Sequence, residues 1–261
     1  MNLLLKGPRM PVAAASAMLG LFALIPAAQA APSNRTAAAA TINGMWALDP
    51  KDFNSEYDKH EPMPFTDKAK ALEAERVART TKVGQTLSDN SRKCLPIGMP
   101  GFMTNEFALE ILETPGRVTF LSENSPLPRS IYLTETAHTT GLEPSWNGHS
   151  IGHWERAGGK TVLVVDTVNF NDRVGPIVQR GVHSPTTHMT ERYYLQSPDV
   201  LVGEMTFEDP TYLTKPYTTV HHYNRIKGKA ELWEYVCETD AAGWSERFSG
   251  DPEAKVKPTD K

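Results

Sequence analysis

Residues 148–170 read GHSIGHWERAGGKTVLVVDTVNF, and whether this stretch is helix or strand decides the fold. His149 and His153 stand four apart, the spacing at which a helix presents a metal site. A helix over 148–156 would carry Gly148 and Gly152 inside it, at about 1 kcal/mol each, and would run into Gly158-Gly159. The run that follows, TVLVVDTV, is dominated by β-branched residues. The pattern predicts strand, turn, strand, with Ala157-Gly158-Gly159 at the tip of a hairpin. On a strand the two histidines share a face, but four steps of about 3.3 Å set their Cα atoms about 13 Å apart. One zinc ion needs both nitrogens at about 2 Å, so they are no zincin pair unless Gly152 marks a sharp bulge.

From Phe107 onward the same period of two continues. The expected strands are 107–113, 117–123, 129–135, 150–155, 161–170, 188–195, 200–208, 217–226 and 231–238, separated by Pro, Gly and Asn clusters such as Ser125-Pro126, Ser197-Pro198 and Lys227-Gly228. A short strand is expected over 41–48, then a Pro-, Asp- and Lys-rich loop over 49–65. Thr66 caps a weakly amphipathic helix near 67–80 that covers the core rather than forming it. The fold class is all-β with one short helix: an antiparallel meander closing into a calycin-like barrel or a sandwich, since closure removes exposed edges. Residues 42–240 form one domain.

The N-terminus reads as an address. Lys6 and Arg9 precede an apolar run over 12–26, and Ala28-Gln29-Ala30 gives the small-x-small pattern cut by signal peptidase, so 1–30 is expected to be a signal peptide of bacterial type. Residues 31–41 read as a disordered leader and 241–261 as a flexible polar tail. The expected location is periplasmic or secreted, with no membrane span left after cleavage. Of the 27 Lys and Arg, two lie in 1–30, so the remaining 231 residues carry 25 against 31 Asp and Glu, a net charge of −6. That acidity, without a basic cluster, argues against nucleic acid and favours a small molecule as partner. Cys94 and Cys237 are the two cysteines. In an oxidising compartment a bridge between them is expected; two buried thiols or a metal pair are the alternatives, and their separation carries no zinc-type spacing.

Cys94-x-Pro96, Arg129-Ser130-Ile131-Tyr132, GHSIG-x-WE over 148–155, Val164-Val165-Asp166-Thr167, His183-Ser184, Glu191-Arg192, Glu208-Asp209-Pro210 and Cys237-Glu238 together resemble a family of exported bacterial proteins of unknown function. The resemblance covers about 94–238 and implies export and a β fold, without a reaction. Position 153 usually looks like Arg there, and His stands here. Gly44-Met45-Trp46 is similar to the G-x-W start of calycin barrels of lipocalin type.

His138 and His183 fall in loops, TETAHTTGLEP and GVHSPTTH, and His149 begins a hairpin strand, so all three are expected near a barrel mouth or sheet edge. They suit a converging acid/base site with Asp166 as orienting carboxylate. A tri-histidine metal centre is the alternative, and no metal is assigned. Asp166 interrupts an apolar run on the face of Val162, Val164 and Val168, where a buried carboxylate needs a partner; Arg129 or Arg192 is expected to supply it. Arg129, Tyr132, Trp154 and His222 are the expected substrate contacts, His222 on condition that it, rather than His221, turns inward. No nucleophile elbow, phosphate loop, dinucleotide fingerprint, C-x-x-C or H-E-x-x-H is present, so no cofactor is expected. Three functions stand: a cofactor-independent lyase, isomerase or hydratase using His chemistry on a small apolar or aromatic molecule; a non-catalytic periplasmic carrier of such a ligand; and an envelope interaction protein. Mass spectrometry of the exported chain is expected to find Ala31 as its first residue.

Overall fold

A computed structural model describes residues 41–55, 62–83, 94–173, 177–178, 181–228, 230–235 and 237; the expected signal peptide, nearly all of the leader and the tail 241–261 lie outside these. The described elements are β1 (Gly44–Leu48), α1 (Pro50–Ser55), α2 (Asp67–Val83), β2 (Leu109–Thr114), β3 (Arg117–Ser122), β4 (Ser125–Tyr132), β5 (His149–Ala157), β6 (Lys160–Val168), β7 (Ile177–Val178), β8 (Gly181–Val182), β9 (His188–Ser197), β10 (Val200–Glu208) and β11 (Tyr217–Arg225). Nine strands close a barrel in the order β1-β11-β10-β9-β6-β5-β4-β3-β2, and β7 with β8 makes a small separate hairpin. Of the two architectures open to the sequence, the barrel is the one formed.

The deciding stretch is a hairpin. β5 and β6 pair without a register shift from His149↔Val168 to Ala157↔Lys160, so Gly152 makes no bulge. Gly158 and Gly159 form the two-residue turn with φ of 55° and 77°, the left-handed pair that a tight hairpin of this hand requires. Gly152 serves another purpose. A Cβ there would lie 2.8 Å from Ile131 Cγ2 and 2.9 Å from the Val164 carbonyl, so the missing side chain lets β4 approach β5.

Alternation along the strands sorts residues into core and wall. Val118 and Phe120, Leu163 and Val165, Met189 and Tyr193, Leu201 and Met205, and Tyr223 are buried inside. The Phe120 ring on β3 meets the Tyr193 ring on β9, nearly opposite in the strand order, at 5.4 Å, so side chains fill this section of the barrel. Met99, Phe102 and Met103 join that core from the turn before β2, where the Met103 carbonyl accepts a hydrogen bond from the Tyr223 hydroxyl at 3.0 Å. At the closure, Trp46 on β1 is fully buried, its indole N–H bonded to the Ile42 carbonyl at 2.9 Å. The Arg225 guanidinium of β11 lies 4.0 Å over the Trp46 ring and donates to the Asn43 and Thr41 carbonyls at 2.6 and 3.1 Å. Gly44-Met45-Trp46 thus stands on the closing strand of a barrel.

Several expectations need correction. The meander is not wholly antiparallel: β4 and β5 are parallel, joined through residues 133–148, and register only at Ile131↔Ser150 and Tyr132↔Ile151. Pro126 and Pro128, which have no N–H to give, occupy the part of β4 that β5 does not pair. Among the described residues of 231–238 there is no strand, because β11 already takes β1 as its second neighbour. That segment is tethered by the disulfide Cys94–Cys237, whose Cα atoms lie 5.5 Å apart, and Trp233 stands 81% exposed on it. Helix α1 falls in the expected loop; Pro50 takes its first position and the Asp49 carboxylate caps it through Lys51 N–H at 2.9 Å. α2 starts as expected at Thr66, whose hydroxyl accepts from Ala69 N–H at 3.3 Å. No helix among the described residues is long and apolar enough to cross a membrane.

Replacing Trp46 with Ala removes the largest side chain from the closure and is expected to cost about 3–5 kcal/mol. Urea unfolding followed by far-ultraviolet circular dichroism measures it.

Candidate functional site

The alternation that turns Leu163, Val165 and Thr167 inward turns Asp166 outward on the barrel wall. Asp166 pairs with Ile151 of β5 and Thr190 of β9; two residues further along, on the same outward face, stand His149 of β5 and His188 of β9, and the loop after β4 brings His138 against Asp166 and His149. The Asp166 carboxylate takes one histidine on each oxygen, with His138 Nε2 at 2.6 Å from Oδ1 and His188 Nε2 at 2.8 Å from Oδ2. The row extends both ways. His188 Nδ1 reaches Glu208 at 3.1 Å, and His138 Nδ1 meets His149 Nδ1 at 2.9 Å. His149 Nε2 lies 3.4 Å from Glu135, and the Tyr132 ring stacks on the His149 ring at 5.5 Å. Three imidazoles and three carboxylates therefore form one line, Glu208, His188, Asp166, His138, His149, Glu135, across the outside of four strands and a loop.

The partners fix where protons sit. An ionised carboxylate accepts only, so His188, between Glu208 and Asp166, needs a proton on both nitrogens, and His138 needs one on Nε2. The Nδ1 atoms of His138 and His149 face each other with ring centroids 5.2 Å apart, a head-on approach that places one proton between them. With no further proton, His149 keeps Nδ1–H and turns a bare Nε2 toward Glu135 at 3.4 Å, a carboxylate that favours a proton on that nitrogen. If Nε2 takes up a proton, the shared one passes to His138, and the charge comes to rest against Asp166. The geometry thus lets a proton pass between the two imidazoles along the wall, with the charge held against a carboxylate.

The electrostatics follow this order. Burial pulls His149 below the ordinary imidazole value, with His138 acting in the same direction against Glu135. Burial also opposes charge on His188, but hydrogen bonds to Asp166 and Glu208 outweigh it and raise that imidazole. Asp166, which burial would raise, is held below the usual carboxylate range by its bonds from His138 and His188. Among the described residues no group of three or more His, Cys, Asp or Glu side chains is placed to hold a metal ion.

The structure brings His138, His149, Asp166 and Tyr132 together and leaves the other expected residues elsewhere. His183 is buried, its Nδ1 at 2.6 Å from the Met99 carbonyl and its ring 5.1 Å from Phe170, and burial lowers its affinity for a proton. Asp166 does not pair with either expected arginine: Arg192 takes Glu155 at 2.6 Å, and Arg129 lies inside the barrel on Glu191. Trp154 is half-buried and packs against the core. His221, not His222, turns inward; His222 stays on the wall and meets Asp52 of α1 at 2.8 Å. His153 is exposed, and its imidazole faces Glu155 at 3.9 Å. His188, Glu208 and Glu135 were missed. The signal for His188 lies in strand register rather than in the pattern of its own strand: its partner across β9 and β10 is Glu208, and it lies on the outward face one strand from Asp166.

The site and fold define a closed barrel with a histidine and carboxylate row on its outer wall. No protein-family model matches the chain, and no curated protein matches it. Among solved structures it is similar to a secretary abundant heat soluble (SAHS) protein from Ramazzottius varieornatus, with 13% identity over 72% of this chain and 98% of that one and a TM-score of 0.33. A likeness at that level says nothing about ligand or chemistry.

His188 makes a testable contribution to stability. Its imidazole is raised above the ordinary value of 6.5, so the stabilisation is complete below that value and is lost as pH rises through the higher folded value. The difference in unfolding free energy between the parent and His188→Gln is expected to be larger at about pH 5.5 than at about pH 9. Urea titrations at the two pH values check the sign.

Proposed function

We propose that this is an exported β-barrel enzyme that moves protons on a small molecule without a cofactor, as a lyase, isomerase or hydratase. One observation carries the proposal: the unbroken hydrogen-bonded row in which His149 presents a basic nitrogen at one end while His138 and Asp166 receive the charge. Such a row, held by separate strands, costs side-chain entropy and brings partly buried charges together, which surface contacts alone rarely repay. It is the arrangement that general acid/base work needs, a base within reach of solvent and an oriented partner behind it. Glu135, at the working end, is placed to exchange protons with a bound molecule or with water.

The substrate belongs to the small apolar or aromatic class. Tyr132, Ile151, Val164 and Val168 stand half-buried on the wall around the row and offer a flat apolar surface to such a molecule. The disulfide Cys94–Cys237 supports an oxidising, extracytoplasmic location, in keeping with the signal-like N-terminus. A carrier would draw on an apolar interior. Here the described interior holds the Phe120 and Tyr193 rings in contact and a buried ion pair, so the catalytic reading is preferred.

The test is solvent isotope exchange. The protein is incubated in D2O with a panel of small aromatic and aliphatic carbonyl compounds, and proton NMR follows deuterium entering carbon positions. Exchange into at least one compound is expected, and His149→Ala should lower it by about 10²- to 10⁴-fold while binding changes only a few fold. Binding without exchange would support the carrier, and equal loss of binding and exchange in His149→Ala would make His149 a ligand contact.

A further inference from the structure

The β4–β5 seam is the shortest joint of the barrel, with two register pairs against three at each joint of β1. β5 and β6 register over nine residue pairs and β6 and β9 over six, whereas β4 and β5 share two. Sequence explains the shortage: Pro126 and Pro128 remove donors from β4, and the parallel strand enters late, after the long connection. The candidate site crosses this seam on the outside. Tyr132 on β4 and Glu135 in the loop after it meet His149 on β5.

Directly behind, inside the barrel, Arg129 crosses the same seam. It leaves β4 with 1% of its area exposed and spans to three other strands. Its guanidinium bonds both oxygens of Glu191 on β9, and one of its nitrogens also reaches the hydroxyls of Ser150 on β5 and Thr167 on β6, each at 3.2 Å. Ser150 and Thr167 bond each other at 2.9 Å, and the Tyr193 hydroxyl donates to Glu191 at 2.5 Å. Ser150 is the neighbour of His149, and Thr167 is the neighbour of Asp166. Each inner hydroxyl is thus one residue along the chain from an outer site group.

We propose that Arg129 is a positioning residue: an internal latch that holds the β4–β5 seam shut and so keeps the Tyr132, Glu135 and His149 half of the site assembled. The other half needs no latch, because Asp166, His188 and Glu208 stand on β6, β9 and β10, which pair along most of their lengths. Release of the latch therefore disturbs the site unevenly. Arginine is suited to this because its planar fork engages a carboxylate with two nitrogens and still has donors left for the hydroxyls, which one ammonium lacks.

The inference rests on the site as proposed above, but its test reads hydrogen bonds rather than turnover, so either proposal can fail alone. Two variants separate the latch from general stability. Arg129→Met/Glu191→Leu replaces the buried pair with apolar volume, a change that avoids leaving a lone buried charge. Arg129→Lys keeps a charge facing Glu191 but cannot hold the fork and the hydroxyls together. Histidine side-chain ¹⁵N NMR and amide exchange are measured on both. The latch predicts that exchange at Ile131, Tyr132, Ser150 and Ile151 quickens about tenfold or more. The proton shared by His138 and His149 loses its bonded signature, while His188 keeps its parent signals. Unchanged seam exchange in a folded variant would overturn the proposal. So would equal loosening at His188, or global unfolding of Arg129→Lys, since each would make Arg129 an ordinary core residue.

Discussion

The ion pair between Arg129 and Glu191 is the interaction on which the rest of this structure turns. Both groups are buried in the barrel, and burying two charges costs several kcal/mol per ion before pairing offsets it. The carboxylate is well satisfied, accepting from two guanidinium nitrogens and from Tyr193, while Arg129 Nε–H stays buried without a hydrogen-bond partner; burial together with Glu191 pushes the Tyr193 hydroxyl far above the usual phenol range. Glu191 and Tyr193 in turn raise the affinity of Arg129 for its proton against the opposing effect of burial. Such a pair adds little net stability compared with apolar packing, but it is intolerant of misplacement, and so it fixes four strands relative to one another.

Filling the interior leaves the titratable row to the wall. A wide barrel can hold a ligand among inward side chains, whereas here Phe120 meets Tyr193 across the middle. The outward face of β5, β6, β9 and β10 receives the titratable groups instead, and each is backed by an inward residue that anchors its strand. The turn preceding β9 is held in the same way. The buried Asp209 carboxylate accepts hydrogen bonds from Ser184, Thr186 and Thr187 and from Thr211 N–H, which sets the angle at which His188 enters the sheet.

The fold was legible because it depends on local signals. Gly158-Gly159 ahead of a β-branched run specified the central hairpin, and the alternation in β6 placed Asp166 on the face of Val162, Val164 and Val168, as observed, although that face is the outer wall and Asp166 is not the buried carboxylate expected. Thr66 announced the start of α2. The parallel seam was not legible, because strand direction depends on where a connection returns and not on the pattern of either strand. The stretch 231–238 alternates as well as its predecessors do, but its described residues form no strand, since an alternating segment pairs only where an edge remains free, and β11 has none. At the site, period two brought His149 and Asp166 to notice while concealing their shared face with His188, since cross-strand neighbours follow from register. A one-residue slip in either pairing would have sent His188 inward.

The location of the barrel's closure has a further consequence. Trp46 and Arg225 join β1 to β11, while Tyr132, His149, Asp166, His188 and Glu208 belong to β4, β5, β6, β9 and β10. Holding the cylinder closed and arranging the titratable line are thus tasks of different sectors of one wall. Mutational drift among the opening and final strands is free to alter how firmly the cylinder is sealed without touching the titratable line, and the sector that carries this line is equally free to diversify on an unchanged frame.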